Sequence, residues 1–270
     1  MTTAKSDDTR TLVRQHYAQV STGAAGCAPG CCSAMPADPS RLLGYTADDR
    51  AAVPAGADLG LGCGNPAAIA SLRAGETVLD LGAGGGFDAL LAARAVGPTG
   101  RVIGVDMTPE MVALARANAR TAGATNVEFR LGEIEALPVA DASVDAILSN
   151  CVINLSPDKA AVFREAFRVL RVGGRLAISD VVAIAPIPEE VRADAGAIAG
   201  CIAGAAHVDD VRQLLADAGF TSIAIAVAPN SAAIVSSWLA GADRYLASAT
   251  IEATRGEAAA AACCAPACCR

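Results

Sequence analysis

Aromatic residues, basic charge and long apolar runs are all scarce in this chain. Aromatic residues make up 3% of the 270 positions and the formal net charge is −7, so a nucleic acid would find few stacking platforms and little cationic surface. No stretch reaches the roughly 18 apolar residues that a membrane span needs. Residues 1–15 mix both charges and lack the apolar core of a signal peptide. We therefore expect a cytoplasmic protein that binds neither nucleic acid nor membranes.

Cysteine, by contrast, is plentiful, with ten residues in the chain. In a reducing compartment, cysteines serve more often as ligands or reactive groups than as structural disulfides. The CxxC…CxxC pattern of structural zinc sites is absent, so a structural zinc ion is not expected. The cysteines form an N-terminal group, three separate positions and a C-terminal tail: Cys27, Cys31 and Cys32; Cys63, Cys151 and Cys201; and Cys263, Cys264, Cys268 and Cys269.

The most informative stretch covers residues 77–87, with the sequence T-V-L-D-L-G-A-G-G-G-F. It predicts a buried strand, a tight glycine turn and a helix that starts at Phe87. Such a turn lets the backbone approach a ligand closely, and the start of the helix offers free N–H groups. A second apolar run ends at Asp106, twenty residues after Gly86, where a carboxylate accepts hydrogen bonds from both hydroxyls of a ribose. Together the two stretches indicate a nucleotide-type ligand.

Two details favour S-adenosylmethionine (SAM) over NAD. Asp80 precedes the first glycine, and the glycines run G-A-G-G-G without the full G-x-G-x-x-G spacing of a dinucleotide fold. A carboxylate at that turn would repel a pyrophosphate, whereas it suits SAM, which carries a cationic amine, a sulfonium and a ribose but no phosphate. The motif alone leaves open an NAD site and a glycine-rich turn that binds no cofactor.

The predicted SAM site extends over the ends of four strands. Its methionine part is assigned to Asp80, Gly82, Gly84 and Gly86, with Asn150 close by; its ribose to Asp106; and its adenine to Met107 and to Gly132, Glu133 and Ile134. For Glu133 and Asn150, the alternative is a structural role in capping their strands.

From residue 77 onward, apolar runs alternate with helical segments, which predicts an α/β fold with a doubly wound, mostly parallel, Rossmann-like sheet. Ligands of such sheets bind at the carboxyl ends of the strands. Residues 21–40 are predicted to form a mobile loop. The predicted strands are 78–81, 102–106, 127–131, 144–149, 175–180, 221–227 and 245–254, and the predicted helices are 9–20, 67–72, 87–96, 109–122, 159–170, 189–206, 208–218 and 232–240.

Three cysteines stand in separate segments, each beside glycine or at a strand end. Cys63 lies between two glycines, which predicts an accessible thiol, and Cys151 directly follows the fourth strand, at the predicted cofactor edge. Soft thiolates bind thiophilic centres. Two thiolates there would hold a trivalent metalloid, and a third would complete a trigonal pyramid. Local sequence leaves open that Cys151 and Cys201 are small buried hydrophobes.

Four longer motifs resemble one family. They are G-V-D-M-T-P-E-M at 104–111, L-G-E-I-E at 131–135, S-N-C-V-I-N-L-S-P-D-K at 149–159 and G-C-I-A-G-A at 200–205. Together they resemble the arsenite SAM methyltransferases, over about residues 58–220. The third motif is the most specific, because other SAM enzymes lack a cysteine there.

The resemblance implies a class I methyltransferase that transfers methyl groups from SAM to thiolate-bound As(III), giving methylated arsenicals and S-adenosylhomocysteine. It implies that Cys63, Cys151 and Cys201 hold the arsenic of arsenite or methylarsenite, and that Cys31 or Cys32 is an N-terminal redox thiol. A disulfide from that thiol to Cys63 would be reset by thioredoxin or glutathione.

We accordingly divide the chain into four parts. Residues 1–72 form an N-terminal cap with redox thiols, 73–182 the SAM-binding domain, 183–256 a substrate-binding part that completes the sheet, and 257–270 a cysteine-rich tail. The tail would either bind metalloid first and pass it to the site, or be a disordered, oxidation-prone segment. Two other functions remain to be weighed: a SAM methyltransferase for an organic small molecule, with structural cysteines, and a metalloid-binding protein without enzymatic activity.

Overall fold

The computed structural model describes residues 3–23 and 39–256, and its centre is a seven-stranded sheet. The strand order is β3-β2-β1-β4-β5-β7-β6. Strands β1 to β5 pair in parallel, whereas β7 runs antiparallel to both of its neighbours. This confirms the predicted doubly wound, mostly parallel fold. The strands are β1 (Thr77–Leu81), β2 (Arg101–Asp106), β3 (Val127–Leu131), β4 (Val144–Asn150), β5 (Leu170–Ala183), β6 (Phe220–Val227) and β7 (Leu246–Arg255).

Helices cover both faces of the sheet, so its central strands are apolar on both sides. In β1, Leu79 and Leu81 belong to the apolar cluster on one face, and Val78 belongs to the cluster on the other. The helices are α1 (Thr3–Ser21), α2 (Pro39–Leu42), α3 (Ala47–Ala51), α4 (Pro66–Ala70), α5 (Phe87–Val96), α6 (Pro109–Thr121), α7 (Lys159–Val169), α8 (Glu189–Arg192), α9 (Ala195–Ala199), α10 (Val208–Asp217) and α11 (Ser231–Trp238). None of the helices in the described residues combines the length and apolarity required to cross a membrane.

The prediction of one continuous helix over residues 189–206 is wrong. The chain instead forms two short helices, α8 and α9, followed by a turn in which Cys201 adopts a positive φ of 63°. Asp194 interrupts the helix because its side chain accepts a hydrogen bond from the Ala197 N–H (2.7 Å) and so caps α9. The turn brings Cys201 back to the sheet edge.

Strand β5 is longer than the predicted strand 175–180. It extends to Ala183 because its outer edge pairs with β7 along nine residues, Arg175 to Ala183. The antiparallel partner comes from the end of the chain, so no local pattern around β5 indicates this length. Helix α1 is also longer than predicted, and Val13 on it is fully buried.

Parts of the predicted N- and C-terminal segments cannot be compared. Cys27, Cys31 and Cys32 and the tail at 257–270 lie outside the described residues, as does most of the predicted loop 21–40. Its last residues, however, begin helix α2.

Candidate active site

A cavity opens at the carboxyl ends of the parallel strands. The turn after β1, Asp106 and Met107 at the end of β2, Gly132 after β3 and Asn150 at the end of β4 all line it. Helix α1 closes one side with Arg10, Val13 and Tyr17. The cavity therefore occupies the edge at which doubly wound sheets bind ligands.

Most of the predicted cofactor residues line this cavity. They are Asp80, Gly82, Gly84, Asp106, Met107, Gly132, Ile134 and Asn150. Gly86 does not, and instead starts α5 with a φ of 90°. A Cβ on Gly86 would lie 2.8 Å from Cζ of Phe129, so glycine is required there by packing. Glu133 points to α1, where it pairs with Arg10 (3.4 Å) and Arg14 (3.5 Å).

Asp80 is a buried acid in the cavity, and one of its carboxylate oxygens has no hydrogen-bond partner among the described residues. It is 3% exposed, and the oxygen without a partner is Oδ2. Burial, followed by the nearby charges of Asp88 and Asp106, raises its pKa well above the usual range. A cationic group bound in the cavity would offset the free-energy cost of burying the Asp80 charge, because a buried charge needs a partner.

Asp106 is held by the backbone at the end of β2. Its Oδ2 accepts the Gly84 N–H (3.0 Å) and its Oδ1 accepts the Thr108 N–H (2.8 Å). Burial raises its pKa, against the effect of these bonds. The carboxylate thus ties the glycine turn to the start of α6, and each oxygen retains capacity for a hydroxyl donor.

Two residues that the sequence did not single out, Tyr45 and Asp88, connect the cavity to the Cys63 turn. The Tyr45 O–H donates to Asp88 Oδ1 (2.6 Å), and Asn150 Nδ2 donates to Asp88 Oδ2 (3.1 Å) and to the carbonyl of Gly64 (2.9 Å). Asn150 Oδ1 accepts the Cys63 N–H (3.0 Å). Burial raises the pKa of Asp88 to about 6 despite these bonds. Asn150 therefore spans the cofactor cavity and the first thiol.

The three predicted thiols converge at one end of the cavity. The Cys151 N–H (2.8 Å) and the Cys63 thiol (3.2 Å) both donate to the carbonyl of Ser179 on β5. The sulfur of Cys201 contacts the carbonyl oxygen of Cys151. Cys151 has a φ of 58°, a left-handed conformation in which a residue other than glycine is strained.

Cys63 is fully buried, so the expectation of an accessible thiol is wrong. Its turn lies beneath β5 and β7, where the Ser248 hydroxyl donates to the Cys63 carbonyl (2.6 Å). Cys151 and Cys201 do line the cavity. Proximity to the thiols of Cys201 and Cys63 lowers the pKa of Cys151 to about 5, whereas burial raises the pKa of Cys63. Of the three thiols, Cys151 alone has a lowered pKa.

Asp180 fixes the loop that carries Cys151. It is 2% exposed, and it accepts hydrogen bonds from the Ile153 N–H (2.9 Å) and from Nδ2 of Asn154 (2.9 Å). Burial and the charge of Cys151 raise its pKa. The sequence did not indicate this role, because Asp180 lies 27 and 26 residues away from these two partners.

Gly204 joins the Cys201 turn to the Cys151 loop. A Cβ at Gly204 would overlap the carbonyl oxygen of Asn154. Replacing Gly204 by alanine is therefore expected to lower the free energy of unfolding by about 1–3 kcal/mol, the usual cost of overpacking, measured by urea denaturation. A variant as stable as the parent chain would show that the two segments are not packed in this way.

The sheet and cavity define the class of the protein. The sheet is that of a class I SAM-dependent methyltransferase, and the family model described as "Methyltransferase domain" matches residues 72–219. The chain is 53% identical, over 92% of its length, to an arsenite methyltransferase of Halobacterium salinarum. It belongs to the arsenite methyltransferase family, which confirms the resemblance seen in the sequence.

A solved structure supports the same family assignment. The arsenic(III) SAM methyltransferase of Chlamydomonas reinhardtii is 36% identical to the chain, with a TM-score of 0.63, and the match covers 82% of this chain and 75% of that one. The chain spans 67% of the Halobacterium protein but 48% of the arsenite methyltransferase of Aquipseudomonas alcaligenes, to which it is 46% identical over 59% of its own length.

Proposed function

We propose that this protein transfers methyl groups from SAM to thiolate-bound trivalent arsenic, giving methylated arsenicals and S-adenosylhomocysteine. The observation that carries the proposal is the convergence of Cys63, Cys151 and Cys201 at one end of a cavity in a methyltransferase fold. Cys151 and Cys201 share that cavity with the glycine turn. The acceptor and the methyl donor would therefore occupy one enclosed space.

The cofactor is proposed to lie along the strand ends. The carboxylate of Asp80 would take the amine of SAM, because it is buried and its Oδ2 lacks a partner. Asp106 would bind the ribose, and Met107, Gly132 and Ile134 would contact the adenine. This direction points the methionine end, with its methyl group, toward Asn150 and Cys151.

The substrate arsenite would exchange its hydroxyls for thiolates. Each As–S bond that forms releases one water, with the proton coming from a thiol. Arsenic held by three sulfurs keeps its lone pair, which attacks the methyl carbon while the C–S bond of the sulfonium breaks. The enzyme needs no general base for this step. Its contribution is to hold arsenic in line with the methyl group and to exclude water.

Methylation raises arsenic formally from the trivalent to the pentavalent state, so a further cycle needs two electrons. We propose that Cys63 and either Cys31 or Cys32 supply them by forming a disulfide, which thioredoxin or glutathione then reduces. This route suits a cytoplasmic protein, because that compartment keeps thiols reduced. Cys63 is fully buried, so the turn that carries it must move before the disulfide forms.

The proposal is tested by incubating the chain with SAM, arsenite and a thiol reductant and separating the arsenic species by chromatography. We expect methylarsenicals in amounts that exceed the enzyme many times over. Without reductant, we expect about one methyl group per chain, since the thiols supply electrons once. If the chain binds SAM but forms no methylated arsenic under any condition, the acceptor is an organic molecule and the cysteines serve packing.

A further inference from the structure

A buried carboxylate lies beside two of the three thiols. The sulfur atoms of Cys63 and Cys151 and a carboxylate oxygen of Asp180 all lie within 4.8 Å of one another. Cys201 is not part of this group, and its sulfur contacts the carbonyl oxygen of Cys151 instead. We propose that Cys63, Cys151 and Asp180 form a mixed sulfur–oxygen site for a divalent thiophilic cation, Zn²⁺ or Cd²⁺, which competes with arsenite.

The spacing of the three ligand atoms fits such a cation. In tetrahedral zinc sites, sulfur ligands lie about 2.3 Å and carboxylate oxygens about 2.1 Å from the metal, so that ligand atoms are roughly 3.6–3.8 Å apart. A group already confined within 4.8 Å needs only a small contraction to reach this. Three protein ligands leave the fourth position to water, which is typical of exchangeable sites and not of closed structural ones.

Asp180 is prepared to act as a ligand. Its Oδ1 accepts from Asn154 Nδ2 (2.9 Å) and from the Val181 N–H (2.7 Å), whereas its Oδ2 accepts from the Ile153 N–H (2.9 Å). A carboxylate oxygen accepts about two bonds, so one position remains on Oδ2. None of the ion pairs within residues 3–23 and 39–256 involves Asp180. The charge of Lys159 acts on Asp180 without forming an ion pair with it, so a bound cation would be the direct cationic partner of the carboxylate. Asn154 would orient Asp180 as a ligand.

Divalent cations and arsenite would share the sulfurs of Cys63 and Cys151 as ligands but would differ in their third ligand. Trivalent arsenic forms three bonds and keeps a lone pair, so it takes Cys201 as its third ligand. Zn²⁺ and Cd²⁺ have no such lone pair and accept oxygen ligands. Their binding displaces one proton from each thiol that becomes a thiolate. The competition rests on the proposed function, whereas the cation site does not.

The test uses a full-length variant, here called the three-thiol chain, in which the seven cysteines outside the site are replaced by serine. These are Cys27, Cys31, Cys32, Cys263, Cys264, Cys268 and Cys269. Cd²⁺ binding is followed by the ultraviolet absorption of Cd–thiolate bonds, and Zn²⁺ binding by competition with a coloured chelator. Arsenite binding is measured on the same samples through the fluorescence of Trp238, the single tryptophan, which lines the cavity.

We expect one tightly bound Cd²⁺ per three-thiol chain. Asp180→Asn should weaken Cd²⁺ binding by about 10- to 100-fold, as the loss of an oriented partner at a metal site typically does, and should weaken arsenite binding no more than Asn154→Ala, which loosens the same loop. Cys201→Ser should weaken arsenite binding and leave Cd²⁺ binding in place. Because neither readout requires methyl transfer, failure of the proposed reaction leaves this test intact.

Asn154→Ala is the matched control, since it loosens the Cys151 loop but keeps the carboxylate. It should weaken Cd²⁺ binding much less than Asp180→Asn does. Equal losses in the two variants would overturn the proposal, because Asp180 would then act only by holding the loop. Unchanged Cd²⁺ binding in Asp180→Asn, or equal losses in Cys201→Ser and Cys63→Ser, would overturn it as well.

Discussion

Replacement of Cys151 by serine is expected to lower methyl transfer to arsenite by more than about 100-fold, since even an outer partner of a bound metal typically contributes 10- to 100-fold to affinity. Cys151 lies between the other two thiols, because its carbonyl oxygen contacts the sulfur of Cys201 and its own sulfur lies within 4.8 Å of the Cys63 sulfur. A serine hydroxyl stays protonated at neutral pH and is a poor ligand for arsenic. The rate of product formation, determined from the separated arsenic species, measures the effect.

The affinity for SAM is the internal control for this variant. Cys151 lines the cavity at its thiol end, so SAM binding, measured through Trp238 fluorescence, should change little. Cys201→Ser should lose methyl transfer to a similar degree. Full methylation activity in Cys151→Ser would contradict thiol-held arsenic and favour an organic acceptor.

Asp80→Asn should change two properties in opposite directions. A hydrogen bond to a charged group contributes about 1.5–3 kcal/mol, which corresponds to a loss of SAM affinity of about 10- to 150-fold. The folded-state pKa of Asp80 is raised by burial and by the charges of Asp88 and Asp106. Its ionised form therefore costs stability at neutral pH, above its unfolded pKa. The amide removes that cost, so the melting temperature without SAM should rise.

The matched control is Asp217→Asn, at the exposed end of α10, where Gln213 donates to the carboxylate (2.7 Å). That variant removes the same charge far from the cavity and should alter neither SAM affinity nor the melting temperature appreciably. Calorimetric titration and thermal unfolding measure both quantities. If Asp80→Asn binds SAM as tightly as the parent chain, Asp80 is not the partner of the amine.

Short-range sequence patterns are sufficient to predict the central strands and helices of the fold. Continuous apolar runs predict β1 to β4 because parallel strands are buried on both faces, and Pro109 and Gly123 bracket α6 closely. The local sequence pattern does not predict the break between α8 and α9, because this break depends on a side-chain cap at Asp194 and on the return of Cys201 to the sheet. The length of β5 depends on a partner strand from the end of the chain.

The site was predictable in its motifs but not in its packing. The glycine turn and the N-C-V-I-N run indicate Asp80 and Cys151 directly. The burial of Cys63 depends on contacts from β5 and β7, and the Tyr45–Asp88 bond joins residues 43 positions apart. Asp180 has no local signature at all, since its partners come from the loop after β4. These contacts form only after the sheet has assembled.

X-ray absorption at the arsenic edge, on the three-thiol chain with one equivalent of arsenite, measures directly whether three thiols hold the arsenic. We expect three sulfur neighbours around arsenic, and two sulfurs with one oxygen when Cys201 is replaced by serine. Arsenic with fewer than three sulfur neighbours in the three-thiol chain, or with a neighbour set that the Cys201→Ser change leaves unaltered, would contradict binding by three thiols.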